Sequence, residues 1–155
     1  MADKWNKVYI MGGTIYAWGN ITFGAEFNFQ TDPEAAFIVF KHLPYIHLLP
    51  WETAKDNKID KETREELESD GDKYPLAELY KHMNKKYMRP DGGVTSCDGL
   101  ALACAIKSDI ITSTEEAFGQ IETQGTRSAG GIFWNHNILL EEGRDDEGQL
   151  KANTR

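Results

Sequence analysis

Between Lys7 and Pro50 the chain reads as strand, helix, strand, and that order constrains its fold more than any other feature. Lys7-Val8-Tyr9-Ile10-Met11 is a short, β-rich apolar run closed by Gly12-Gly13, the pattern of a buried strand. A loop rich in glycine and aromatic residues follows, from Thr14 to Thr31. Asp32 then suits a helix N-cap, Pro33 the first helical position, and Glu34 the positive end of the helix dipole. Ala35, Ala36, Ile38, Val39 and Phe40 form the helix body, Lys41 and His42 favour its C-terminus, and Pro44 ends it. Tyr45-Ile46-His47-Leu48-Leu49 reads as a second strand, stopped by Pro50. Two strands joined through a helix pair in parallel by a right-handed crossover, which places the chain in the α/β class.

The rest of the chain is less regular. Glu52 to Lys73 is dense in mixed charge and reads as a solvated surface helix with a loop. Within it Asp56, Lys58 and Asp60 fail the EF-hand pattern, because Lys58 occupies an acidic position and Lys61 stands where glycine is needed. Pro75 to Tyr87 reads as an amphipathic helix with Leu76, Leu79, Tyr80 and Met83 on one face. After the turn Pro90-Asp91-Gly92-Gly93, Asp98 opens a helix through Ile106 that is apolar nearly all round and is therefore expected to be buried. Ile110-Ile111-Thr112 reads as extended, and Ala117 to Ile132 as strands and turns. From Glu141 charge dominates, so residues 141–155 are expected to form a disordered tail beyond a domain of residues 1–140.

Composition narrows the functional classes. With 17 Lys+Arg against 25 Asp+Glu the net charge is −8, the wrong sign for binding nucleic acid through its phosphates. A hydrophobic content of 40% argues against a wholly disordered chain. No apolar run reaches the roughly 20 residues of a membrane span, so no membrane partner is expected. The apolar run after the charged start is too short for a signal-peptide core, and the expected location is the cytoplasm. Cys97 and Cys104 lie two helical turns apart, too far to bridge if both are helical, and read as reduced and mostly buried. Without a secretory signal the sequon Asn20-Ile21-Thr22 reads as incidental.

Three polar or aromatic groups could carry chemistry. Asn20, Glu26 and Asn28 lie in the loop after the first strand, at the carboxyl end of the sheet, where open α/β sheets bind ligands. Two amides and a carboxylate suit a polyol such as ribose, whose hydroxyls need both donors and acceptors. The same residues also read as turn formers and a surface charge. In Thr95-Ser96-Cys97-Asp98, the aspartate is either an N-cap or one oxygen ligand of a hard cation. Tyr16, Trp18, Phe23 and Phe27 either fill the core or stack on a planar ring.

Taken in order and spacing, these segments resemble the inosine-uridine preferring nucleoside hydrolase family. The likeness rests on Met11-Gly12-Gly13, Gly19-Asn20-Ile21-Thr22, Ala25-Glu26-Phe27-Asn28 and Asp32-Pro33-Glu34-Ala35-Ala36. Cys97-Asp98-Gly99-Leu100-Ala101 with Ile110-Ile111-Thr112 is similar to the family's later metal-site segment, and Thr126-Arg127 to its near-terminal strand. The resemblance implies a mostly parallel sheet with flanking helices and hydrolysis of the N-glycosidic bond of ribonucleosides to ribose and base, assisted by one Ca²⁺. It implies that Asn20, Glu26 and Asn28 hold the ribose hydroxyls and that Asp98 is a calcium ligand. A glycan on Asn20 would then block the ribose site.

The departures are equally specific. The aspartate-rich motif that opens the family fold, with the other calcium carboxylates and the general base, is absent, as are the elements expected before Lys7. The chain therefore resembles only the C-terminal half of the family fold, its Ca²⁺ site is incomplete, and its catalytic residues are unknown. Cys97 stands where many members carry a histidine that helps the base leave, which turns attention to Tyr16 and Trp18 as base-stacking residues. The expected partner is a ribonucleoside. Homo-oligomerisation, or association with a full-length relative through an unpaired sheet edge, is the further expectation. The alternative function is a non-catalytic nucleoside- or ribose-binding remnant, or an interaction partner of such a relative. The preferred base is not legible.

Overall fold

In the computed structural model, which describes residues 5, 7–43, 45–69, 74, 76–135 and 153–154, β1 (Val8–Met11) and β2 (Tyr45–Leu49) pair in parallel. Val8 faces Ile46 and Met11 faces Leu49 in the register. Tyr9 and His47 are cross-strand partners whose rings stack at 4.6 Å. A short third strand, β5 (Asn153–Thr154), pairs in parallel on the other side of β2. Those two residues fall inside the expected tail; residues 141–152 and 155 lie outside the described residues.

The crossover from β1 to β2 runs through two helices. The sequence led us to expect one, preceded by a loop up to Thr31, but the end of that loop is a five-residue helix, α1 (Phe27–Thr31). Its N-cap is Glu26, whose side chain accepts the N–H groups of Asn28 and Phe29. The second helix, α2 (Pro33–His42), starts as its sequence dictates, with the Asp32 carboxylate accepting Ala35 N–H at 2.9 Å and Pro33 in the first turn. It closes with Leu43 N–H on the Val39 carbonyl at 3.0 Å, while Pro44 lies outside the described residues.

β3 (Phe118–Ile121) and β4 (Ile132–Asn135) form a separate antiparallel pair, as the β-branched, glycine-rich stretch suggested. Thr126-Arg127, which resembled strand, lies in the turn between them. One apolar cluster joins these pieces: Phe29 of α1, Phe40 of α2, Leu43, Ile46 of β2, Ile121 of β3 and Ile132 of β4. Phe29 and Phe40 meet edge to face at 5.6 Å, the favoured geometry for an aromatic pair. Burying each such side chain stabilises the fold by roughly 1.5–3 kcal/mol.

The chain divides into two units, Met1–Thr53 with Asp98–Arg155, and Ala54–Cys97. The second contains α4 (Lys61–Ser69) and α5 (Leu76–Tyr87), and Ile59 and Val94 form an isolated antiparallel bridge there. Arg64 of α4 is buried, against the expectation of a wholly solvated charged face. Its guanidinium donates to the Gly92 carbonyl (2.8 Å), Glu68 (2.5 Å) and Glu65 (3.1 Å), so the buried charge is offset by two carboxylates and a carbonyl. On α5 the expected apolar face is not the buried one: Leu76, Leu79 and Met83 are exposed, while Ala77 and Asn84 are buried.

Three further expectations change. α3 (Trp51–Asp56) begins directly after Pro50, and its Glu52 is buried rather than solvated. α6 (Cys97–Ile106) starts one residue before Asp98 and buries only Ala101 and Cys104, leaving Leu102 and Ile106 exposed. Of the expected extended piece Ile110-Ile111-Thr112, Ile110 closes a 3₁₀ turn (Ser108–Ile110), while Ile111 is extended at φ −78° and ψ 113°. Neither cysteine forms a disulfide among the described residues; Cys104 is buried and Cys97 half-buried.

Candidate functional site

The carboxyl end of β1 turns sharply at Gly12 and Gly13. Gly13 has φ +69°, and a Cβ there would stand 2.3 Å from Ile132 Cδ1. At Gly12 (φ +151°) a Cβ would stand 2.5 Å from the Phe29 ring and 3.0 Å from Glu26 Oε2. Only glycine fits both demands, left-handed backbone and close approach. These two residues let α1 and its cap lie directly against the strand end.

Glu26 fills that space and is only 2% exposed. Its Oε2 accepts Gly13 N–H at 3.0 Å and Phe29 N–H at 3.4 Å, and its Oε1 accepts Asn28 N–H at 3.0 Å. One carboxylate thus ties the β1 exit to the first turn of α1. Asn20 Oδ1 accepts Phe27 N–H at 2.9 Å, capping the same turn. Asn28 Nδ2 donates to the Met11 carbonyl at 3.3 Å, at the last residue of β1. Asn20, Glu26 and Asn28 are therefore brought together around one helical turn at a strand end, as expected.

Their remaining hydrogen-bonding capacity is complementary. Asn20 and Asn28 are exposed. No described residue bonds Asn20 Nδ2 or Asn28 Oδ1, leaving one amide NH2 as a donor group and one amide oxygen as an acceptor group. Glu26 offers about four acceptor positions and uses three of them on backbone N–H groups. A donor and two acceptors around one turn suit the vicinal hydroxyls of a sugar.

Beside this trio the loop carries aromatics. Tyr16 is 68% exposed and Trp18 62%, with ring centroids 6.0 Å apart and tilted by 56°. Phe23 and Phe27 are also exposed, so none of the four joins the core. Ala17, between Tyr16 and Trp18, adopts φ +55°.

Reasoning from sequence missed three residues that build the loop. Glu52 accepts Ile15 N–H (3.1 Å to each oxygen) and Tyr16 N–H (3.0 Å). Trp134 Nε1–H donates to the Thr14 carbonyl at 2.9 Å. Thr14, 1% exposed, donates its hydroxyl to the Gly24 carbonyl at 3.2 Å. Glu52 was findable: it follows the end of the parallel strand β2 by three residues, at the same sheet edge.

Asp98 does not join the trio. It lies exposed in the first turn of α6, and no hydrogen bond or ion pair among the described residues links it to Asn20, Glu26 or Asn28. Among the described residues no group of three or more His, Cys, Asp or Glu side chains converges where a metal ion could be held. One exposed carboxylate falls far short of the about six to eight oxygens that calcium takes, so these residues alone do not fit a calcium site.

Comparison with known proteins follows the same lines. The family model for inosine-uridine preferring nucleoside hydrolase matches residues 1–153. The chain is 27% identical over 128 residues to uridine nucleosidase 1 of Arabidopsis thaliana, covering 80% of this chain and 38% of that protein. It is 30% identical over 138 residues to the pyrimidine-specific ribonucleoside hydrolase RihA of Citrobacter koseri, covering 86% and 44%. It thus spans about two fifths of the length of the curated relatives it matches. Among solved structures, an inosine-guanosine nucleoside hydrolase superposes with TM-score 0.73 at 21% identity, over 94% of this chain and 45% of that one. The plant nucleoside hydrolase PpNRh1 superposes with TM-score 0.73 at 19% identity, over 99% and 49%. The shared fold is α/β, and this chain corresponds to about half of it.

Proposed function

The chain belongs to the inosine-uridine preferring nucleoside hydrolase family, and from that premise we propose that its site takes a ribonucleoside for hydrolysis of the N-glycosidic bond. Water adds to the anomeric carbon, the carbon–nitrogen bond breaks, and ribose and the protonated base leave. The observation that carries this reading is the convergence of Asn20, Glu26 and Asn28 on one turn at the end of β1, with a donor and two acceptors to spare. Asn20 Nδ2 donates to a ribose hydroxyl, while Asn28 Oδ1 and the last position on Glu26 accept from others. Such bonds lower the barrier where they strengthen as the sugar approaches an oxocarbenium ion. Tyr16 and Trp18 stack on the base.

The general base belongs to the part of the family fold that these residues do not supply, and the mostly parallel sheet is completed there. Calcium is the family's metal, with Asp98 as one proposed ligand, and the remaining ligands also lie outside this half. The chain alone therefore hydrolyses nucleosides far more slowly than its longer relatives do. Within the described residues β1 pairs only with β2, and its free edge suits a homo-oligomer or a full-length relative. A second reading, a ribose or nucleoside binder without catalysis, is favoured by the lack of a converging metal cluster among the described residues.

Calorimetric titration of the full chain with ribose, with and without Ca²⁺, tests the site. Ribose binds the wild type, and the double variant Asn20→Ala/Asn28→Ala binds it at least about tenfold more weakly, as two lost hydrogen bonds require. Equal affinity for ribose in that variant would overturn the assignment. A release assay with inosine and uridine separates the two readings, since a binder gives titration heat without free base.

A further inference from the structure

Glu52 is a glutamate in a charge-dense stretch, yet it is 6% exposed. Burying a carboxylate is costly unless donors replace its water. Its donors are the N–H groups of Ile15 and Tyr16, 37 and 36 residues away. Those two peptides lie immediately before Ala17, whose φ of +55° is strained for any residue with a Cβ. Such a conformation persists only where its surroundings over-determine it.

The rest of the loop is fixed upstream. Glu26 holds Gly13 N–H, Trp51 N–H holds the Gly13 carbonyl at 3.0 Å, and Trp134 holds the Thr14 carbonyl. Glu52 supplies the last of these anchors before the strained residue. Beyond it come the rings of Tyr16 and Trp18, exposed and 6.0 Å apart. An exposed aromatic pair on an unanchored loop would sample many arrangements, and a planar ligand would have to order it at an entropic cost.

We propose that Glu52 is a positioning residue: by gripping Ile15 and Tyr16 it holds the left-handed Ala17 and so presents Tyr16 and Trp18 as a preformed platform for a planar heterocycle. The proposal rests on the nucleoside reading only for the identity of that heterocycle, the base. Glu52 touches no reacting atom. Its effect falls on ring recognition and not on the sugar site, which Glu26 anchors independently.

The test compares hypoxanthine, a ring without sugar, with ribose, a sugar without ring. Both are titrated calorimetrically into the full wild-type chain and into Glu52→Gln, with amide hydrogen exchange measured at Ile15 and Tyr16. Gln keeps one acceptor oxygen and turns a donor toward the two N–H groups. Exchange at Ile15 and Tyr16 speeds up, and hypoxanthine affinity falls about tenfold, the size of one aromatic contact. Ribose affinity stays within about twofold of wild type. Glu52→Asp, which keeps the charge but withdraws it by one methylene, gives an intermediate loss and serves where the Gln variant does not fold. Unchanged hypoxanthine affinity in both variants, or an equal loss for hypoxanthine and ribose, overturns the proposal. So does a wild type that binds ribose but not hypoxanthine, which leaves the sugar-site reading intact. A wild type that binds hypoxanthine but not ribose, with the Gln effect present, sinks the nucleoside reading and supports the platform.

Discussion

Replacing Glu26 by Ala tests whether this carboxylate builds the fold as well as the site. Three N–H groups lose their acceptor: Gly13 and Phe29 in buried bonds and Asn28 in a partly buried one. A buried donor left without a partner costs about 1–3 kcal/mol, and one that water can reach far less. Losing the N-cap of α1 is the same loss seen from the helix and is not added again. The sum is roughly 3–5 kcal/mol, a large part of the about 5–15 kcal/mol that stabilises an ordinary domain. At about 2–4 °C per kcal/mol for a chain of this size, the melting temperature falls by roughly 6–20 °C. Urea titration followed by circular dichroism and tryptophan fluorescence reads the change, with the midpoint falling and the slope unchanged. Glu26→Gln, which retains one acceptor oxygen, lies between wild type and Ala. A cost below about 1 kcal/mol for Glu26→Ala, with ribose binding abolished, would falsify this reasoning. It would mean that the carboxylate serves the ligand alone and that water satisfies the backbone without it.

Two further outcomes follow from local geometry. Gly13→Ala places a Cβ at φ +69° and 2.3 Å from Ile132 Cδ1, so it costs roughly 2–4 kcal/mol from backbone strain and overpacking together. A loss under about 0.5 kcal/mol in urea titration would show that the β1 exit relaxes freely. In the second unit, Thr63 N–H donates to the Asp60 carboxylate at 2.7 Å and holds its pKa below the ordinary aspartate value of about 3.9. A lowered folded pKa means stability that is full above the unfolded value and lost as pH falls through the folded one. The advantage of wild type over Asp60→Asn is thus present at about pH 6 and shrinks as the pH falls below the ordinary aspartate value of about 3.9, read as helical signal during denaturation. A constant difference across that range would exclude the carboxylate as its source.

The parts of the fold legible in the sequence were those fixed by local chemistry. Asp32-Pro33 starts α2 because an N-cap acceptor and a preset φ act within one turn. β1 and β2 are continuous apolar runs, which suit strands of a parallel sheet. Asn20, Glu26 and Asn28 were legible as a group because they fall within nine consecutive residues after a strand end, which confines them to one place. What escaped was set by distant partners. Glu52 looks like any surface glutamate until Ile15 and Tyr16 are brought to it across 37 residues. Arg64 is hidden in the same way by Gly92, 28 residues on. The apolar face of α5 was visible as a stripe, but periodicity does not say whether a stripe finds a partner.

Two buried acids, Glu26 and Glu52, explain how an exposed loop can be rigid here. The residues from Gly13 to Trp18 leave the sheet at its carboxyl end, past the last ladder bond from Gly12 N–H to the Leu49 carbonyl, and their backbone groups need other partners. Glu26, the cap of α1, satisfies Gly13, and Glu52, in the first turn of α3, satisfies Ile15 and Tyr16. Each acid also lies at a helix N-terminus, where the dipole favours its negative charge. The same placement therefore offsets the burial of both carboxylates and anchors the loop between them. In the proposed reading, the groups that face the sugar and those that face the ring are held by different acids from different helices. A substitution in one anchor should disturb one half of a nucleoside's recognition and spare the other. That separability distinguishes a preformed site from a loop that orders only around its ligand, because in the second case every anchor would weaken sugar and ring together.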